Sequence, residues 1–195
     1  MVILLLHMEI RLLDKYSALI KGKKESILVN PSDEFLEKDK NSRMLIFTDN
    51  NLKPSNFLGE KIVIAGAGEY EVGGVEIWGS DVEGNKTIYD IKIDGVSIMV
   101  LGELIETLSD KKIEKIQSVD VLIAPVSIGD KTSFKLVKDW SKKWGVNYLI
   151  PVGDEDGLKK FLDEADEEGL EATDSLKVDV ETLPDGLELK LLRIV

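Results

Sequence analysis

Apolar and polar residues alternate in short runs through the first half of the chain, and the period lengthens in the second. Residues 9–13, 16–20 and 26–29 each predict a strand; the first two meet at Asp14-Lys15 and the third ends at Asn30-Pro31. A short helix fits near residues 34–38. Residues 44–48 form a brief apolar run that stops at Asp49-Asn50-Asn51, a buried strand ending in a polar loop, which is where α/β proteins build many of their sites. Strands over 61–64, 69–72, 75–78, 87–93 and 96–101 follow. Turns separate them at Gly73-Gly74, Gly84-Asn85 and Asp94-Gly95, and an Asp-Gly pair between two alternating runs is a strong hairpin signal.

Beyond Gly102 the spacing turns helical. Ser109 suits the N-cap of a helix over 110–117, and 119–125 is apolar enough for a strand buried on both faces. Thr132 or Asp130 can cap a helix whose apolar side is Leu136, Val137, Trp140 and Trp144, closed by Gly145. A second buried strand over 146–151 and a helix over 155–168, with Leu158, Phe161, Leu162 and Ala165 inward, continue the alternation. Two last strands, 176–180 and 187–194, flank the turn Pro184-Asp185-Gly186. A strand-rich first half followed by alternating strand and helix suits two sheets packed face to face with helices outside, in one domain spanning residues 1–195.

Composition narrows the function classes. With 195 residues and 43% hydrophobic content the chain can bury a full core. Its net charge of −12 is spread over interleaved Lys and Asp/Glu, which argues against nucleic acid and anionic membrane surfaces as partners. The absence of cysteine removes thiol nucleophiles, thiolate metal sites and disulfides, and fits a cytoplasmic protein. The opening Met1-Val2-Ile3-Leu4-Leu5-Leu6-His7 is too short to span a bilayer; it reads as an edge strand, or as a leader before a start at Met8, and the sequence does not choose between Met1 and Met8.

The stretch from Ile62 to Trp78, IVIAGAGEYEVGGVEIW, places strands around two glycine turns. Its core, GAGEYEVGGVEIWG, resembles the PGEYEV-x-GV-x-I-x-G signature of one branch of the metallo-β-lactamase superfamily, the zinc-dependent hydrolases that include L-ascorbate-6-phosphate lactonase-like proteins. Neighbouring blocks stand in the same order. Ile27-Leu28-Val29-Asn30-Pro31 is similar to that branch's ILVDP, Thr87-Ile88-Tyr89 to its T-I-Y, and Asp94-Gly95-Val96 to its D-G-[IV]. Leu101-Gly102-Glu103-Leu104 resembles L-G-D-L, Val119-Asp120-Val121-Leu122 with Pro125-Val126 resembles VDVLLVPV, and Leu149-Ile150-Pro151 resembles the IVIP that precedes a histidine. The resemblance runs from Met8 almost to the end. It implies an α/β (α+β) fold, a four-layer αββα sandwich, with the site on the edge between the two sheets.

What the resemblance implies for chemistry does not carry over. The superfamily's H-x-H-x-D-H would follow the strand ending at Thr48, where imidazoles and a carboxylate hold metal and the metal lowers the pKa of a bound water. Here the chain has Asp49-Asn50-Asn51-Leu52-Lys53-Pro54. Lys53 stands at the aspartate position and brings a cation to a dication's place. Glu103 replaces the bridging aspartate, Val152-Gly153 replaces the later histidine, and Asn30 replaces the aspartate that braces the site from behind. The only histidine, His7, matches no ligand.

Two readings remain open for the residual cleft candidates Asp49, Asn51, Lys53, Glu103, Gly153 and Asp154. Asp49 and Glu103, with Asp154, could form an oxygen site for a hard cation, which needs several converging oxygens. The other reading, favoured because Lys53 lies among them, makes them loop carboxylates: Asp49 in an Asx turn, Asp154 near a helix N-terminus, Glu103 solvated. Glu69 and Glu71 share one strand face and read as an exposed carboxylate pair, while Trp78, Trp140 and Trp144 read as core or interface anchors. The expectation is a cofactor-free, non-catalytic binding or interaction module on a metallo-β-lactamase-like scaffold, recognising a protein partner or small ligand. The alternative is a metal-dependent hydrolase of a phosphorylated sugar, lactone or phosphodiester. Self-association stays open.

Overall fold

In the strands, side chains divide by parity: within β3 (Ser26–Val29), Ile27 and Val29 point into one core and Leu28 into another. The same division in the other strands puts one continuous apolar layer between two sheets. The computed structural model describes residues 7–49, 51, 60–82, 85–106, 108–109 and 116–195. Within them β1 (Met8–Asp14), β2 (Ser17–Lys21) and β3 form an antiparallel meander, and β4 (Met44–Phe47) and β5 (Ile62–Ala65) extend it in parallel. A late strand, β14 (Leu176–Val178), closes the other edge against β1.

The second sheet is also mixed. Its antiparallel half is β6 (Gly68–Val72), β7 (Val75–Val82), β8 (Lys86–Ile93) and β9 (Val96–Val100). Parallel pairing then adds β10 (Val121–Pro125), β13 (Tyr148–Val152) and the short β15 (Glu188–Leu189). Gly73 and Gly74 both take positive φ, 61° and 86°, so the hairpin between β6 and β7 has the turn that matches strand twist. On the outer face, α2 (Phe134–Lys143) lays Val137 and Trp140 over Leu122, Ala124 and Leu149, and α3 (Glu155–Glu164) adds Phe161. Burial of each such side chain contributes roughly 2–3 kcal/mol. The six-residue α1 (Asp33–Lys38) brings Leu36 to the outer face of the first sheet. The architecture is thus the mixed α/β sandwich of two packed sheets flanked by helices, with a thin outer layer on one side.

Several boundaries differ from the sequence reading. The strand expected to run to Val180 stops at Val178, because Val180–Thr182 turns as a 3-10 helix held by the Asp179 carboxylate on the Glu181 N–H. The strand expected over 187–194 is ordered as a ladder only at Glu188–Leu189; beyond it Leu192 and Ile194 make single bridges to Thr173 and Leu12. The helix begun at 155 ends at Glu164, and Asp166 takes a left-handed φ of 58°. Neither Thr132 nor Asp130 caps α2. Thr132 is instead paired in a two-stranded ribbon, β11 (Ser127–Ile128) with β12 (Lys131–Thr132), and Ser133 precedes the helix with its hydroxyl on the Pro125 carbonyl. The helix expected over 110–117 and the leader over 1–6 fall outside the described residues. No helix among the described residues is long and apolar enough to cross a membrane.

One side chain links the two sheets directly. Tyr89 of β8, fully buried, accepts the Gly66 N–H at 2.9 Å, and its hydroxyl lies 3.2 Å from the carbonyls of Phe47 in β4 and Gly66. Burial pushes its phenol up from 10.0 to about 12. A phenol raised in the folded state costs nothing below the unfolded pKa and loses stability as pH climbs from there to the folded value. Tyr89→Phe should lower stability at neutral pH by about 1–2 kcal/mol, since it strands the Gly66 N–H. Urea denaturation from pH 9 upward should also show a shallower alkaline decline for the variant than for the parent chain.

Candidate functional site

Where the carboxy ends of β3 and β4 meet the second sheet, polar residues collect at the edge between the sheets. Asn30 is their hub. Its φ of 46° is left-handed, a conformation asparagine tolerates better than most residues. From there its side-chain oxygen accepts the Thr48 N–H at 2.8 Å, and its amide donates to Thr48 Oγ1 at 2.8 Å and to the Tyr16 carbonyl at 3.1 Å. The Asn30 carbonyl in turn accepts the buried Ser17 hydroxyl at 2.5 Å. A carboxylate here could accept but not donate, so asparagine ties together three strand ends that an aspartate could not join in this way. Against this hub lies Gly102, with φ of 59°; a Cβ there would stand 2.2 Å from Thr48 Oγ1, so only glycine lets the chain leave β9 this close to β4.

Each expected site residue is already partnered within the chain or lies outside what is described. Asp49 closes an Asx turn, its Oδ1 accepting the Asn51 N–H at 2.8 Å, and Asn51 itself is exposed. Asp49 also bridges Lys86 through the backbone. The Lys86 ammonium stands 3.7 Å from the Glu103 carboxylate. Asp154 caps α3, with Oδ1 on the Gly157 N–H at 2.7 Å and Oδ2 3.4 Å from the Ser127 hydroxyl. Gly153 faces Ser127 so closely that a Cβ would sit 2.8 Å from its Oγ. Lys53 lies outside the described residues.

The structure brings Glu103 and Asp154 into electrostatic reach of one group, Tyr16. Its hydroxyl donates to the Ser127 carbonyl at 3.0 Å, and burial, followed by the carboxylates of Glu103 and Asp154, pushes its phenol upward. Beside Glu103 a cavity of about 630 Å³ opens, with Leu104 and Ile128 in its wall and the Lys131–Glu106 pair, 3.9 Å apart, at its charged side. Sequence reasoning missed Lys86, Tyr16 and Ser127. Lys86 directly precedes the Thr87-Ile88-Tyr89 block, and that placement at a strand start was the one signal available for it. Tyr16 and Ser127 carry no local mark, since their roles come from contacts more than a hundred residues apart in sequence.

The profile of the family described as a β-lactamase superfamily domain matches residues 9–152. The chain belongs to the metallo-β-lactamase superfamily. Solved structures share the fold. A Thermotoga maritima protein assigned to the Zn-dependent hydrolases of the superfamily superposes with a TM-score of 0.78 at 21% identity, over 95% of this chain and 99% of that one. Igni18, a metallo hydrolase from Ignicoccus hospitalis, gives 0.63 at 11% identity over 89% and 99%. The metallo-β-lactamase fold protein YhfI from Bacillus subtilis gives 0.63 at 12% identity over 96% and 97%. No curated protein matches this chain in sequence.

The metal centre that the superfamily implies does not fit the described residues at this edge. Among the described residues no three His, Cys, Asp or Glu side chains are grouped to hold an ion. The donors that remain are engaged with the chain's own N–H groups and an ammonium, and a dication on Glu103 would be repelled by the Lys86 ammonium that already pairs with that carboxylate. Asn30→Asp, which restores the family residue at the hub, should lower stability by about 1–3 kcal/mol, because the carboxylate would face the Tyr16 carbonyl with no proton to donate. Chemical denaturation of the variant at pH 7 checks this.

Proposed function

We propose that this member of the superfamily is a non-catalytic binding or interaction module that keeps the metallo-β-lactamase scaffold. The observation that carries the reading is the Lys86–Glu103 ion pair, which sets an ammonium beside the carboxylate that matches the bridging ligand of the metal-dependent relatives. Asp49 and Asp154 support it, because both act on neighbouring backbone N–H groups. Such a module works by recognition, with a protein or a small ligand as its partner, and a cysteine-free acidic chain suits the cytoplasm. The fold alone does not decide this, since one fold hosts many functions.

A metal-dependent hydrolase is the competing reading, favoured by the gathering of Asp49, Glu103 and Asp154 at one sheet edge and by the hydrolase assignments of the structural neighbours. Metal content after purification separates the two, together with melting curves in Mn²⁺, Mg²⁺ and Zn²⁺. A cation at a hundred times its Kd adds about 2.7 kcal/mol, which for a chain of this size is a rise of roughly 5–10 °C. The module reading expects no such rise and no stoichiometric metal. Stoichiometric metal that disappears in the Asp49→Ala, Glu103→Ala double variant would establish the hydrolase instead.

A further inference from the structure

A second cavity lies on the outer face of the second sheet over β6 to β9. Its volume is about 780 Å³, and α2 and α3 do not line it. The register sets its floor: Glu69, Trp78, Asp90 and Met99 stand opposite one another across four consecutive strands. Trp78 is 37% exposed in the middle of this row, while the other two tryptophans, in α2 and at its C-terminal end, are buried.

The charges around Trp78 are unbalanced. Among the described residues that line the groove, Glu69, Asp90 and Asp120 stand against one cation, Lys92. Ser97 holds two of the carboxylates side by side, donating its N–H to Asp120 Oδ2 at 2.7 Å and its hydroxyl to Asp90 Oδ1 at 3.0 Å. Burial, reinforced by the neighbouring Asp120 carboxylate, pushes the Asp90 carboxyl upward even with Lys92 on the same face. The nine ion pairs among the described residues all lie outside this groove. An ordered pair of acids thus stands beside an exposed indole, and Lys92 is the one cation among the described residues that line the groove.

We propose that this groove docks a basic segment of a partner protein, with an arginine or lysine side chain laid over Trp78 and reaching Asp90 and Asp120. The indole offers cation–π attraction and the carboxylates offer charge-assisted hydrogen bonds, the combination that a guanidinium fits best. A small cation is the poorer match. Small-ligand pockets enclose most of the ligand within apolar walls, whereas this groove is open along exposed Glu69, Trp78, Ser80 and Lys92. Aromatic anchors ringed by complementary charge are the usual energetic centre of protein interfaces. The inference names the surface and partner class of the interaction module. It does not depend on the metal question, so metal in the cleft would leave it standing, and its own failure would leave the cleft reading standing.

The test is an NMR titration of the full chain with the peptide acetyl-(Gly-Arg)4-amide, following the three indole N–H resonances. The Trp78 signal should move in a saturable, salt-sensitive way while those of Trp140 and Trp144 stay in place. Trp78→Ala and the Asp90→Asn, Asp120→Asn pair should each weaken binding at least about tenfold, a loss of about 1.4 kcal/mol. Trp78 is exposed, so its variant keeps the fold even if the aspartate pair does not. Equal affinity for the parent and Trp78→Ala, no movement of the Trp78 signal, or argininamide binding as tightly as the peptide would overturn the proposal.

Discussion

Asn30 holds the end of β3 to Thr48, at the start of the Asp49 turn, through two side-chain hydrogen bonds and to the Tyr16 carbonyl through a third, and the polar edge between the two sheets is built on that tie. Thr48, fixed by it, presses against Gly102 and passes its carbonyl to the Thr87 N–H, so the first sheet is joined to the start of β8 and the exit of β9. Lys86 and Glu103 flank those two points, and their approach follows from the backbone registration. The hub is an amide because the geometry asks one side chain both to donate and to accept, which a carboxylate at neutral pH cannot do.

This constraint bears on the chemistry of the edge. A metal site needs deprotonated donors that face a common point and are free of competing cations. Here the carboxylates face inward to N–H groups of their own loops or toward an ammonium, and Ser127 occupies the space beside Gly153. Each contact is modest alone, since part-exposed ion pairs contribute about 1 kcal/mol or less. Together they turn a set of donors that would have to converge into a set of turns and caps that stabilise the scaffold.

Much of the fold was legible in the residues because strands buried on one or two faces leave period-two and all-apolar patterns. β8, β9 and β10 could be read from Ile91, Ile98 and Ile123 and their neighbours with errors of a residue or two. The short C-terminal pieces were overread: Val178 and Leu189 end their ladders where the chain crosses from one sheet to the other, and of the apolar residues beyond them Leu192 is buried through a single bridge while Val180, Leu187 and Ile194 are exposed. The edge was legible as a list of residues that do not match the family's ligands. Its pairing was not, because Lys86 with Glu103, and Tyr16 with Ser127, meet only once both sheets are assembled. The outer groove was hidden for the same reason: Trp78, Asp90 and Ser97 lie on three strands, and no spacing along the chain marks that they share a face.

The claim on which the account rests is that an ammonium, and not a metal, accompanies Glu103. Anomalous diffraction from crystals grown in millimolar Mn²⁺ measures that directly. The account predicts no anomalous peak at the sheet edge and the Lys86 Nζ still within ion-pair distance of Glu103. A peak bridging Asp49 and Glu103, with Lys86 turned away, would contradict it.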